Sequence, residues 1–199
     1  MFSDLEFSKS INMSGVNSIN WARIITQSVY YFYTYLKLDT NKPISFSVPT
    51  GNFGDVFAGY LSKKMGLPID KLIVATNEND ILHRAISKGD YVSREVKETL
   101  SPSMDIQLAS NFERLIYYIN NSNSEKTADI IKKIKQNSYQ IEKNNLDIIQ
   151  KDFLSESCNE QETLDIIKKN YEENNIILDP HTAVGVGSAK KFSFLSSTC

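Results

Sequence analysis

Ile44 to Asp55 reads ISFSVPTGNFGD, and this stretch decides the fold. Ile44 to Val48 is a short apolar run whose β-branched and aromatic content predicts a buried strand. Pro49 ends it, Thr50 to Gly54 makes a glycine-bracketed loop, and Asp55 opens an apolar-periodic stretch that closes at Gly66. Strand, glycine loop and helix start follow in order. An α/β protein builds a phosphate site this way, because glycines let the backbone come close and unpaired N–H groups at a helix amino end point at the anion. The loop is not a P-loop, since no Lys-Ser/Thr pair follows, nor the GxGxxG dinucleotide pattern. An ordinary βα turn, with glycines serving only to reach positive φ, explains the loop by itself equally well.

Downstream, Lys71 to Thr76 (KLIVAT) predicts a second buried strand, then Asn77-Glu78-Asn79-Asp80 and a helix through about Lys88. Two strands separated by one helix make a βαβ unit, hence a parallel pair with a right-handed crossover. Ligands in such sheets sit beyond the carboxyl ends of the strands, so the 49–55 and 77–80 loops would open on one edge. Upstream, Asn17-Ser18 supplies N-capping oxygens for a long helix to about Leu38. Its Ile19, Ala22, Ile25, Val29 and Leu36 recur at near-helical spacing, and Trp21, Ile24 and the tyrosines widen the apolar arc. So broad an arc predicts a helix buried on much of its surface, with Tyr30, Tyr31, Phe32, Tyr33 and Tyr35 as core packing.

Residues 2–9 suggest a short helix and Ile11 to Val16 a connector or short strand. From Asn111 the character changes to Asn, Lys, Ile and Glu, with helical periods around 111–121, 124–136, 144–151 and 160–174 and no strand signal. Asp179-Pro180 then starts a helix, HTAVGVGSAKKF, whose small residues suit close packing on a sheet. The expected organisation is residues 1–15 as the tail of a smaller domain, 16–110 as the α/β core, 111–175 as a helical insertion, and 176–199 as a truncated return. Both ends, MFSDLEF and LSSTC, read as cuts through a larger fold.

With 199 residues, 41% hydrophobic and 23% charged, the chain has the make-up of a globular protein. A net charge of -2 leaves no electrostatic footprint for nucleic acid or an anionic membrane. Cys158 and Cys199 have neither metal-ligand spacing nor a disulfide framework, which suits a reducing cytoplasm. His83 and His181 have no matching partner in sequence and read as structural.

Five ordered stretches now resemble threonine synthase: VNSINWARI (16–24), SVPTGNFGD (47–55), ATNENDIL (75–82), SPSMDIQ (101–107) and DPHTAVGV (179–186). The resemblance implies a fold-type II enzyme, similar to the tryptophan synthase β group, using pyridoxal 5'-phosphate (PLP) to convert O-phospho-L-homoserine and water to L-threonine and phosphate. The fold class implied is α/β, a partial open parallel sheet with flanking helices plus an inserted helical region. By resemblance, Gly51, Asn52, Phe53, Gly54 and Asp55 cradle the cofactor phosphate, glycine at 51 and 54 keeping a Cβ away from the anion. Asn17, Ser18 and Arg23 would hold the substrate phosphate, the guanidinium as a planar fork of donors. Read without the family, Asn17 or Ser18 is a plain helix cap and Arg23 a surface residue.

Two family features are missing. The resemblance calls for a Schiff-base lysine in a Phe-Lys-Asp context, and Lys63, Lys64, Lys190 and Lys191 are all followed by other residues. It also calls for a closing strand carrying a threonine to the pyridine nitrogen; LSSTC is either its first half, with Thr198 as that threonine, or a linker. The expectation is a C-terminal piece of a threonine synthase without its catalytic lysine. Its rivals are another fold-type II lyase, such as a serine or threonine dehydratase, and a non-catalytic PLP-binding relative. Residues 77–80 and 101–105 border the expected site without an assigned role.

Overall fold

Ile44–Pro49 (β1) and Ile69–Thr76 (β2) lie side by side and parallel in a computed structural model that describes residues 4–11 and 17–192. Between them runs Gly54–Lys64 (α3), so the βαβ unit expected from the two apolar runs is present. A third strand, Phe153–Ser157 (β3), pairs parallel with the other side of β2, giving the order β1-β2-β3. This strand corrects the expectation of helix alone across 111–175. Its sequence, FLSES, is short and largely polar; pairing of Leu72–Thr76 with Phe153–Ser157 makes it a strand, with no apolar run to announce it.

Leu5–Ser10 (α1), Trp21–Lys37 (α2), Ile81–Lys88 (α4) and Phe112–Ile119 (α5) complete the first half. Ser124–Lys135 (α6), Lys143–Asp152 (α7), Glu160–Asn174 (α8) and Pro180–Phe192 (α9) complete the second. Strand alternation sorts the packing. Leu72 and Val74 join the main core with Val56, Phe57 and Phe112, while Ala75 turns the other way to meet Val184 of α9 and Cys158. Helix α9 lies across all three strands, and Gly185 permits the approach: a Cβ there would sit 3.0 Å from the Pro49 ring. The α8 start carries a capping box between Asn159 and Glu162, and Asp179 accepts from the His181 and Thr182 N–H groups at 3.0 and 3.3 Å as expected.

Two expectations about α2 change. The cap is Asn20, whose side chain accepts from the Ala22 N–H, and Asn17-Ser18 belongs to the turn before it. Nor is the helix deeply buried: only Ile24, Ser28 and Tyr31 are, while Val29, Tyr33 and Leu36 are 59%, 62% and 73% exposed. Within the described residues α2 packs chiefly on one neighbour, α3, which covers a single stripe. Most of the 11–16 connector, the LSSTC end and Thr198 lie outside the described residues. No helix among the described residues is long and apolar enough to cross a membrane.

Candidate functional site

The carboxyl ends of β1 and β2 open into the Thr50–Phe53 loop and the 77–80 turn, side by side on one edge as expected. Thr50 is tied down by its N–H to the Ala75 carbonyl, 2.8 Å. Beyond it the chain turns sharply at Phe53, whose φ of 64° is left-handed and unusual for a bulky residue. The conformation is held because the Phe53 ring is buried, 5.1 Å from Phe112 and 5.8 Å from Phe153 between centroids. With the ring in the core, the backbone lines the edge.

Helix α3 then begins without a side-chain cap. The N–H groups of Gly51, Asn52, Phe53, Gly54 and Asp55 have no acceptor among the described residues. These donors point from the positive end of the helix, which is the chemistry an anion requires. The glycines act more locally than expected. A Cβ on Gly51 would fall 2.5 Å from the Ser103 carbonyl oxygen, and one on Gly54 would fall 3.3 Å from Asn111 Nδ2. The 101–105 backbone leaves no room for a side chain at 51, whereas at 54 the Asn111 amide would have to give by only a few tenths of an ångström.

Asn52 does not point at a ligand with its side chain. Its Nδ2 donates to Ser18 Oγ, and its Oδ1 accepts from the Ser110 N–H at 2.5 Å. Of the substrate-set residues, Ser18 is tied to the loop through Asn52, and Asn17 is engaged locally, its Oδ1 accepting from the Ile19 N–H at 3.0 Å. Arg23 is exposed in the first turn of α2, and its guanidinium has no hydrogen bond or ion pair among the described residues.

Two residues that sequence reasoning missed bind the site together. Asn111, fully buried, donates through Nδ2 to Ser18 O at 2.8 Å and Asn52 O at 3.1 Å. Arg114 donates to Asn111 Oδ1 at 3.0 Å and to Ile19 O at 2.7 Å, with its guanidinium over the Trp21 ring. They bring the amino ends of α2, α3 and α5 together. In sequence both looked like the start of a solvated helical stretch, and only an asparagine just ahead of a helix hinted otherwise.

Asn77 and Asn79, both buried, converge on Asp105: their Nδ2 groups donate to its Oδ1 at 2.7 and 3.0 Å, and Thr99 gives one bond to each carboxylate oxygen. This network staples the 99–105 loop to the end of β2, so these residues position Ser103 against Gly51. His83 and His181 hydrogen-bond Ser155 and Asp179 respectively. No cluster of candidate metal ligands occurs among the described residues.

The lysines are placed for other work. Lys63 and Lys64 sit at the carboxyl end of α3, on Asp152 at 2.8 and 3.8 Å, and about 14 Å along the axis from Gly54. Lys191 bridges Glu156 and Glu162 at 3.2 and 3.3 Å; partial burial works against its charge, but these carboxylates hold its pKa above the ordinary value.

Comparison with protein-family models finds no match. Curated relatives do match: threonine synthase of Saccharomyces cerevisiae is 46% identical over 96% of this chain, and that of Pseudomonas aeruginosa 44% over 96%. The chain spans 41% of the length of each. Among solved structures, PLP-bound threonine synthase from Brucella melitensis superposes with a TM-score of 0.93 at 46% identity, over 96% of this chain and 42% of that one. Over nearly its whole length this chain is homologous to part of threonine synthase.

Proposed function

We propose that this chain carries the two anion-binding elements of a threonine synthase, which acts on O-phospho-L-homoserine, without the lysine that tethers PLP. The observation that carries the reading is the convergence of three helix amino ends on a loop whose five N–H groups are uncommitted. Backbone donors of Gly51, Asn52, Phe53, Gly54 and Asp55 would hold the PLP phosphate. When bound, PLP supplies an electron sink for the substrate's carbon chain. Arg23, with the Asn17 amide and the Ser18 hydroxyl, would hold the substrate phosphate as the leaving group gathers charge. Asn52 acts through its backbone, since its side chain fixes Ser18 and Ser110. The 16–110 region would form the PLP-binding core, and two widely separated cysteines suit a cytoplasmic setting.

PLP titrated into the chain, followed by absorbance, tests this. Binding competed by inorganic phosphate is expected, lost in Gly54→Val and kept in Arg23→Ala, with circular dichroism confirming that both variants fold. In enzyme completed by the missing part, Arg23→Ala should weaken substrate binding about ten- to a hundredfold, as for loss of a charge-assisted contact. A folded Gly54→Val that binds PLP like the parent, or Arg23→Ala stripping the cofactor alone, overturns the assignment.

A further inference from the structure

Ser18, in the turn before α2, and Asn52, in the loop before α3, share a hydrogen bond whose direction their neighbours decide. The Ser110 N–H lies 2.5 Å from the Asn52 side chain. A main-chain N–H can only donate, so the amide atom facing it is Oδ1 and the other end, facing Ser18, is Nδ2. An amide nitrogen also only donates. Ser18 Oγ therefore accepts, and its own hydrogen has to point elsewhere. No group among the described residues takes that hydrogen.

The pair is held from α5. Arg114 has only donors, so its Nε–H, 3.0 Å from Asn111 Oδ1, turns Asn111 Nδ2 onto the Ser18 and Asn52 carbonyls at 2.8 and 3.1 Å. Asn17 is oriented in the same sense: its Oδ1 is occupied by the Ile19 N–H at 3.0 Å, which leaves Nδ2 for an outside partner. Asn17 Nδ2, the Ser18 hydroxyl hydrogen and the Arg23 guanidinium then all offer hydrogen and no acceptor. Such a set matches a phosphate dianion, whose outer oxygens all accept, and leaves the proton of a monoanion without a partner.

From this we infer that Asn52 is a positioning residue whose side chain commits the Ser18 hydroxyl to donating, and so selects the dianionic form of the substrate phosphate. This rests on the assignment of Asn17, Ser18 and Arg23 to that phosphate. It gives Asn52 a second role beside its main-chain N–H, and ties the cofactor loop to the neighbouring anion set.

The test uses this chain with pyridoxine 5'-phosphate, which carries the cofactor's phosphate without its aldehyde, saturating the 51–55 loop. Methyl phosphate, a monoester without an amine, is then titrated by phosphorus-31 NMR. A phosphomonoester loses its second proton near about pH 6, so the parent's affinity should rise at least about fivefold between about pH 5 and pH 8. Asn52→Asp keeps an oxygen for the Ser110 N–H but accepts from Ser18, which turns the serine lone pairs toward the anion. Its rise should shrink to less than about twofold. In a Ser18→Ala background the same substitution should leave the slope as Ser18→Ala alone has it. Arg23, Asp55, Glu113 and Arg114 are the charged neighbours and are the same in all of these variants, so differences in slope belong to residues 18 and 52. A merely loosened loop lowers affinity alike at every pH and keeps the slope; circular dichroism checks folding. An unflattened profile for Asn52→Asp overturns the inference. So does equal flattening with and without the Ser18 hydroxyl, which would be direct repulsion by the new carboxylate. Methyl phosphate that fails to bind, or binds as well to Arg23→Ala, instead overturns the substrate-phosphate assignment and the inference with it.

Discussion

Substituting Gly51 by alanine is the sharpest probe of how the Thr50–Phe53 loop is held. The position has no left-handed φ, so alanine meets no backbone strain, and its whole effect comes from the new methyl. That methyl would lie 2.5 Å from the Ser103 carbonyl oxygen and 3.4 Å from the Met104 Cα, both backbone. Real Cβ contacts stay beyond 3.0 Å, so loop or partner must move by about half an ångström. Asp105 anchors the partner side through Asn77, Asn79 and Thr99, leaving the 51–53 loop to move. Overpacking of this kind costs about 1–3 kcal/mol. With a urea m-value near 2 kcal/mol per molar, the midpoint should fall by roughly 0.5–1.5 M. The displaced N–H donors should also weaken PLP binding about tenfold. The control is Gly66→Ala: φ there is +103° and nothing lies within 4 Å, so it should lose stability through strain while keeping PLP affinity. Equal PLP affinity and equal urea midpoints for Gly51→Ala and the parent would refute the view that Ser103 braces the loop.

Arg84 is buried between Asp80 and Asp90, at 2.9 and 2.5 Å, and Arg84→Met should destabilise the chain by roughly 2–4 kcal/mol in urea unfolding, the range lowered because both carboxylates keep some solvent. Burial alone would push the Asp90 carboxyl up, but Arg84's hydrogen bond and charge hold it below the usual aspartate value. A folded pKa below the unfolded one contributes stability above the ordinary aspartate pKa and loses it as pH falls through the lowered value, so the parent should weaken below about pH 4, and Asp90→Asn less steeply. Cys158 is buried and its thiol is pushed up by that burial, so in a Cys199→Ser background it should react with a thiol reagent at pH 8 only upon unfolding. Purified chain supplied with PLP and O-phosphohomoserine should release no phosphate above buffer; PLP-dependent threonine formation would mean that a lysine already present can serve.

The βαβ unit was legible because Gly and Pro bracket its apolar runs, and α8 because of its helical period over 160–174. β3 was not, since Ser155, Glu156 and Ser157 carry no strand signal and are recruited by the edge of β2. The apolar arc of α2 was correctly seen and wrongly assumed to be covered: periodicity reports that a face is apolar, not that a partner is at hand. At the site, the glycine loop was visible as a local pattern. Asn111 and Arg114 escaped because their partners are Ser18, Ile19 and Asn52, and bonds across such distances leave no local trace.

That clamp also sets an order of events. Asn111 and Arg114 reach back 93 and 95 residues to their carbonyls, and closing a loop of that length opposes folding by about 4 kcal/mol before any contact offsets it. Contacts so distant in sequence slow folding, while β1, α3 and β2 can assemble from near neighbours. The junction of the α2, α3 and α5 amino ends is therefore a late product of folding. On a ribosome adding about 5–20 residues per second, the glycine loop emerges several seconds before the asparagine that completes it. Any phosphate-bearing ligand reaching the nascent chain in that interval meets a loop without its clamp.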